Sequence, residues 1–235
     1  MRKWPFQAFV KRVFNGGFAI CFSGGLIFST PVWAFEHYLC SEKRSLQEYN
    51  SMRWFKYELP ITVYVPPVPF QVEQPDMYYP LVQKAFFAWS ERAPFIQFQF
   101  VDHPKKAMIK IQWKDDFKNE GAWGKAFLPI LYRSVKGKLR HKSVVFLAVR
   151  AQLGSGMTGL VNKPVLFSAD ELLSIAKHEV GHALGLPHSP NESDVMCGGC
   201  WGFYGNTLRD ISEGDIATLY ALYNLPLPLK KNPCP

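Results

Sequence analysis

HEVGHALGLPH, residues 178–188, places three histidines and one glutamate within eleven residues, with two glycines among them. A lone histidine on an amphipathic helix is usually an ordinary, partly buried side chain, and two at i and i+4 often share a face by chance. The surrounding residues narrow that reading. SADELLSIAKHEVGHALG (168–185) reads as one helix: Ser168 with Glu171 makes a capping box, and Leu172, Ile175, Ala176, Val180 and Ala183 form its apolar side. His178 and His182 stand one above the other off that stripe, with Glu179 beside them. Gly185 is placed to end the helix, because glycine tolerates the left-handed conformation that turns a chain sharply. The turn lets His188 come back toward the first pair.

Three neutral imidazoles leave the fourth position of a tetrahedral zinc open for chemistry, whereas a structural zinc more often fills it with a cysteine or histidine. His178, His182 and His188 are therefore the candidate ligands of one catalytic zinc. Glu179 decides the chemistry. A carboxylate beside the metal can take a proton from water attacking a carbonyl carbon and then hand it to the leaving amine. The bland alternative, a solvated helix glutamate, fits poorly with the three histidines and Gly185 around it.

HEVGHALGLPHS followed by SDVM (193–196) resembles the metzincin metalloproteases and, among them, the matrixin branch, whose catalytic domain is typified by the matrix metalloproteinases. The resemblance implies a zincin-like domain with a mixed twisted sheet, an HExxH active-site helix and a C-terminal helix. It implies His178, His182 and His188 as zinc ligands, Glu179 as general base and Met196 as the Met-turn residue beneath the metal. Read without the family, Met196 is a soft side chain on a loop. Ser189 matches the serine that follows the third histidine. KAFFAWSERAPFIQFQFV (84–101), GAWGKAFLP (121–129) and SEGDIATLYALYNL (212–225) extend the likeness over most of 59–225.

The departures carry information too. Lys125 stands where an edge strand would supply a ligand to the family's structural zinc, and the His-x-Asp pair is absent. A second zinc is therefore not expected: His141 matches the place of another such ligand but, without the pair, is read as a surface residue; calcium binding is unread. No PRCGxPD motif is present, and EHYLCSEK around Cys40 lacks the neighbours of a cysteine switch. CGGCWGFYGN (197–206) replaces the usual Pro-x-Tyr wall, leaving Tyr204 or Trp201 as candidate pocket residues, each equally readable as packing.

The rest of the chain supports an exported globular protein. It has 235 residues, 48% hydrophobic and 20% charged, enough for one core. Arg2, Lys3, Lys11 and Arg12 precede a charge-free run ending at the small residues Val32 and Ala34. Residues 1–34 are thus expected to be a signal peptide cleaved before Phe35, giving a secreted or periplasmic bacterial protein; the alternative is an uncleaved membrane anchor over 13–34. These four cations supply half of the formal +8 charge. Lys105, Lys106 and SVKGKLRHK (134–142) are read as solvated basic loops with no pattern that reads bases, so no nucleic-acid partner is expected. Beyond residue 34 stand Cys40, Cys197, Cys200 and Cys234, and the expected disulfides are Cys197–Cys200 and Cys40–Cys234; a metal-binding CGGC is the rival.

Residues 35–58 form a charged, weakly periodic lead-in, 59–225 the catalytic domain and 226–235 an irregular tail. ITVYV (61–65), FIQFQFV (95–101), MIKIQW (108–113) and KSVVFLAV (142–149) read as strands, 121–131 as a short edge strand, and 78–93 and 212–225 as helices, with Ser212 and Asp215 fitting a capping box poorly. Strand, helix, strands, helix, helix makes an α+β domain with a mixed sheet. An extended peptide adding to the exposed edge would lay its carbonyl over the zinc. The function expected is a monomeric zinc endopeptidase acting on polypeptide segments. The alternatives are a non-catalytic zinc-bearing envelope binding protein and a zinc amidase of cell-wall or small amide substrates. An intact Glu179 argues against the binding protein, which needs no base there.

Overall fold

Alternation of apolar and polar residues in IKIQWK builds the centre of the fold. In β3 (Ile109–Lys114), Ile109, Ile111 and Trp113 are buried while Gln112 and Lys114 face water. The computed structural model describes residues 36–117, 122–151, 165–200 and 208–234, all within a unit running from Phe35 to Pro235. β3 lies between β1 (Ile61–Tyr64) and β6 (Leu139–Ala148), parallel to both, and β2 (Phe98–Phe100) adds parallel to β1. β4 (Gly124–Ala126) and β5 (Ile130–Arg133) pair antiparallel with β6. The sheet order is β2-β1-β3-β6-β4, with β5 also on β6, and β7 (Arg150–Ala151) and β8 (Val165–Leu166) form a separate small pair. This is the α+β domain with a mixed sheet that the sequence predicts. β4 closes one edge as the reversed strand.

A short helix α1 (Leu46–Ser51) precedes the sheet, and α2 (Tyr78–Arg92), α3 (Ala169–Ala183) and α4 (Glu213–Asn224) complete the elements used below. α2 and α3 are locked together where the Trp89 indole N–H donates to the Lys177 carbonyl at 2.9 Å. Val82, Phe86 and Trp89 of α2, the inward residues of β1, β3 and β6, and Ile175, Ala176 and Val180 of α3 share one core. Burial of so many large side chains, each worth about 1.5–3 kcal/mol, fixes α3 rigidly beneath the sheet edge.

Three expectations need correction. The run 134–142 is not a loop. Ser134–Lys138 is the turn of a hairpin, with Gly137 at φ 77°, and Leu139–Lys142 begins β6 because β5 supplies its backbone partners. His141 is not a surface residue either. It has the same parity as Ser143, Val145 and Leu147 on β6, all buried, and is itself fully enclosed. Its Nδ1 sits 2.7 Å from the Glu58 carboxylate, which also accepts the His141 amide at 2.6 Å. Finally, Ser212 and Asp215 do form a capping box on α4, Asp215 accepting the Ser212 amide at 2.8 Å. Both expected disulfides are present, Cys40–Cys234 and Cys197–Cys200.

Candidate metal centre

The helix bearing the motif begins and ends as its residues dictate. Ser168 and Glu171 cap α3 reciprocally, satisfying amides that the first turn cannot pair internally. At the other end Gly185 has φ 100°, its amide donates to the His182 carbonyl at 2.9 Å, and the Leu186 amide reaches the Gly181 carbonyl at 3.0 Å. This is a Schellman turn. A Cβ on Gly185 would also stand 2.3 Å from the Met52 carbonyl oxygen, so the lead-in segment depends on that glycine as well.

The turn brings His188 to the helix pair. The Nε2 atoms of His182 and His178 are 3.2 Å apart, and those of His182 and His188 are 3.1 Å apart. Each ring is oriented through its other nitrogen: His178 Nδ1 faces the Val195 carbonyl at 2.6 Å, His182 Nδ1 the Leu186 carbonyl at 2.9 Å, and His188 Nδ1 the Glu42 carboxylate at 2.9 Å. Carbonyl and carboxylate oxygens only accept, so the ring proton lies on Nδ1 in all three. Burial, helped by the neighbouring histidines, pushes His178 down to about 4 and His182 down to about 3, so both rings are neutral at pH 7. The bare Nε2 lone pairs of His178 and His182 then face each other, with His188 Nε2 beside His182. That arrangement is repulsive without a cation between them and suits a metal that takes imidazole nitrogen. The three histidines fit zinc.

Glu179 lies buried between α3 and β4. A Cβ on Gly124 would come within 2.5 Å of its Cγ and Oε1, so the edge strand lies directly against the carboxylate because position 124 is glycine. Burial drives its pKa up to about 8 against the opposing Ala126 amide, and Oε2 has no hydrogen-bond partner among the described residues. Zinc's own charge would oppose that rise. A cleft of about 490 Å³ runs past this carboxylate, bounded by Gly124 and Lys125, by the three histidines, and by Glu42.

Met196 is fully buried, and its sulfur occupies the place where a Cβ on Gly181 would fall, between the two helix histidines. The loop holding it is pinned by groups the motif does not contain. Asp215 accepts the Val195 amide at 3.0 Å and the Tyr38 hydroxyl at 2.5 Å, and Ser189 donates to Asp194 at 2.5 Å. Burial raises Asp215 overall despite these hydrogen bonds. Glu42 behaves oppositely: burial alone would raise it, but hydrogen bonds from Arg44 and the His188 amide hold it down at about 2. Glu42 had no sequence signal, and the only signal at Asp215 was its place near the start of α4, since the site partners of both lie outside their own elements. Tyr204, Trp201 and the predicted cleavage site at Ala34 lie outside the described residues.

Two histidines on a buried helix, a glycine turn, a third histidine and a buried methionine against Gly181 are the features of a metzincin. A family model described as matrixin matches residues 53–224, and the chain belongs to the matrixins, a zinc-dependent family. Karilysin of Tannerella forsythia is 27% identical over 146 residues, 62% of this chain and 28% of that protein. Metalloendoproteinase 1-MMP of Arabidopsis thaliana is 33% identical over 117 residues, 48% of this chain and 29% of that protein. Macrophage metalloelastase of Rattus norvegicus is 39% identical over 67 residues, 28% of this chain and 14% of that protein. The match thus spans less than a third of each relative's length.

Proposed function

We propose that this protein is a zinc endopeptidase that hydrolyses peptide bonds in extended polypeptide segments, with His178, His182 and His188 holding the metal and Glu179 acting as general base. The observation that carries this reading is Glu179 itself: a carboxylate buried against the edge strand, at the mouth of a cleft that also contains the three convergent imidazoles. Zinc, when bound, supplies a Lewis acid that polarises a carbonyl and lowers the pKa of water. Glu179 takes the proton from the attacking water and returns it to the leaving amine. The backbone of β4 aligns the substrate as an added antiparallel strand, which reads little sequence and favours unfolded segments over folded ones. Met196 supports the histidines from below. Names of the relatives, karilysin and metalloelastase among them, agree with a peptidase.

Residues 1–34 are proposed as an export signal, 35–58 as the lead-in, 59–225 as the catalytic domain and 226–235 as the tail, with a secreted or periplasmic destination. The two disulfides suit an oxidising compartment. The deciding experiment incubates the protein with a diverse peptide library, with and without a zinc chelator, and reads cleavage by mass spectrometry. Chelator-sensitive cuts within peptides are expected; zinc-loaded protein that leaves the whole library intact refutes the reading.

A further inference from the structure

His188 differs from its two companions in how it is held. His178 and His182 stand on a buried helix, and their Nδ1 atoms meet backbone carbonyls of Val195 and Leu186 within seventeen residues of their own positions. The His188 side chain is 47% exposed and follows a turn. Its Nδ1 is met instead by a side chain from 146 residues earlier in the chain. One oxygen of Glu42 takes both the His188 backbone amide at 3.0 Å and Nδ1 at 2.9 Å, fixing peptide and ring together.

Taking His188 as the ligand named above, we infer that Glu42 is the positioning residue of the third zinc ligand, and that the lead-in segment is a working part of the metal site. The segment is anchored for that task. The Ser41 hydroxyl donates to the His188 carbonyl at 2.5 Å, and Arg44 pairs with Glu42 at 2.9 Å while reaching the Gly185 carbonyl at 3.3 Å. Two residues before Glu42 stands Cys40, bonded to Cys234. Tyr38 is tied to Asp215, whose carboxylate also holds the Val195 amide beside His178. Lead-in, third ligand and Met-turn loop are thus joined through two carboxylates. A carboxylate receiving an imidazole N–H fixes the tautomer and raises the basicity of the metal-binding nitrogen; losing such a partner typically weakens metal binding by about 10–100-fold.

The test compares wild type with Glu42→Ala, Glu42→Gln and Glu48→Ala in the full chain. Zinc affinity is measured by competition with a chromophoric chelator, and the ligand field is read from the visible spectrum of the cobalt(II)-loaded protein. Glu42→Ala is expected to lose about 10–100-fold in zinc affinity and to shift the cobalt spectrum. Glu42→Gln keeps an oxygen that accepts both N–H groups but lacks the charge, so its loss should be smaller yet measurable. Glu48→Ala removes only the capping partner of Ser45 in the same segment and should bind zinc as wild type does. The inference is overturned if Glu42→Gln matches wild type in affinity and spectrum, whether or not Glu42→Ala folds, or if Glu48→Ala loses as much as Glu42→Ala. A wild-type chain that takes up no zinc would refute the proposed function instead.

Discussion

At the scale of single residues, the site depends on how each group's environment selects its charge state. Burial of Glu179 holds its carboxyl up at about 8 against the Ala126 amide, and the charge of a bound metal would oppose that rise. His178 and His182 are kept neutral by the same burial that would make them poor bases, which is the state a zinc ligand requires. Glu179→Gln keeps the size of the side chain and all three imidazoles. On the proposed mechanism it removes only the proton acceptor, so zinc content should persist while peptide cleavage drops by at least about 100-fold. His182→Ala should abolish cleavage by a different route, through loss of the metal. Elemental analysis alongside peptide-cleavage rates separates the two, and near-wild-type cleavage by zinc-loaded Glu179→Gln would exclude the water-activation role. These four residues were legible because one helix and one turn bring them together, and both are encoded locally. Gly124 was not: its importance lies in the approach of a side chain more than fifty positions away.

At the scale of elements, the ends of helices and the parity of strands explain both the successes and the misses. Ser168 and Glu171 read correctly because the capping box is a local code. Ser212 and Asp215 read poorly, yet the shorter aspartate reaches its target amide and at the same time serves the Met-turn loop. His141 was misread because its neighbours Arg140 and Lys142 are charged, whereas strand parity turns it inward onto Glu58. Glu58 would be raised by burial, but hydrogen bonds from the His141 ring and from the Phe55 and His141 amides outweigh this and lower its pKa. A lowered carboxylate contributes stability above its unfolded value, near 4.3, and loses it as pH falls through the lower folded value. Glu58→Gln should therefore cost stability at neutral pH, and the gap to wild type should shrink below about pH 4. Urea denaturation of metal-free protein across pH 3–7 measures it; a gap that is constant with pH would show that the Glu58 charge contributes nothing.

At the scale of the whole molecule, the chain is closed on itself. Cys40 and Cys234 lie 194 positions apart in sequence, and the Tyr49 hydroxyl and Arg53 guanidinium add further ties between lead-in and tail, Arg53 donating to the Pro226 carbonyl at 2.6 Å. Crosslinking so long a loop restricts the unfolded chain, an effect worth about 2–5 kcal/mol. Replacing both cysteines by serine should lower the unfolding free energy by that amount, measured by urea denaturation against the oxidised wild type. An unchanged midpoint and slope would mean that the lead-in is held by its side-chain contacts alone.

The sequence by itself determined the α+β class, the helix that carries His178 and His182, its glycine exit and the meeting of these two histidines with His188. Helix periodicity, capping and glycine's access to positive φ act over a few residues, and the family motif records their combination. Only the tertiary structure decided that His141 is buried, that Gly124 presses the edge strand onto Glu179, and that Glu42 holds His188. Each of those contacts joins residues more than fifty positions apart, where local propensity carries no signal and only the packing of one element against another sets which groups meet.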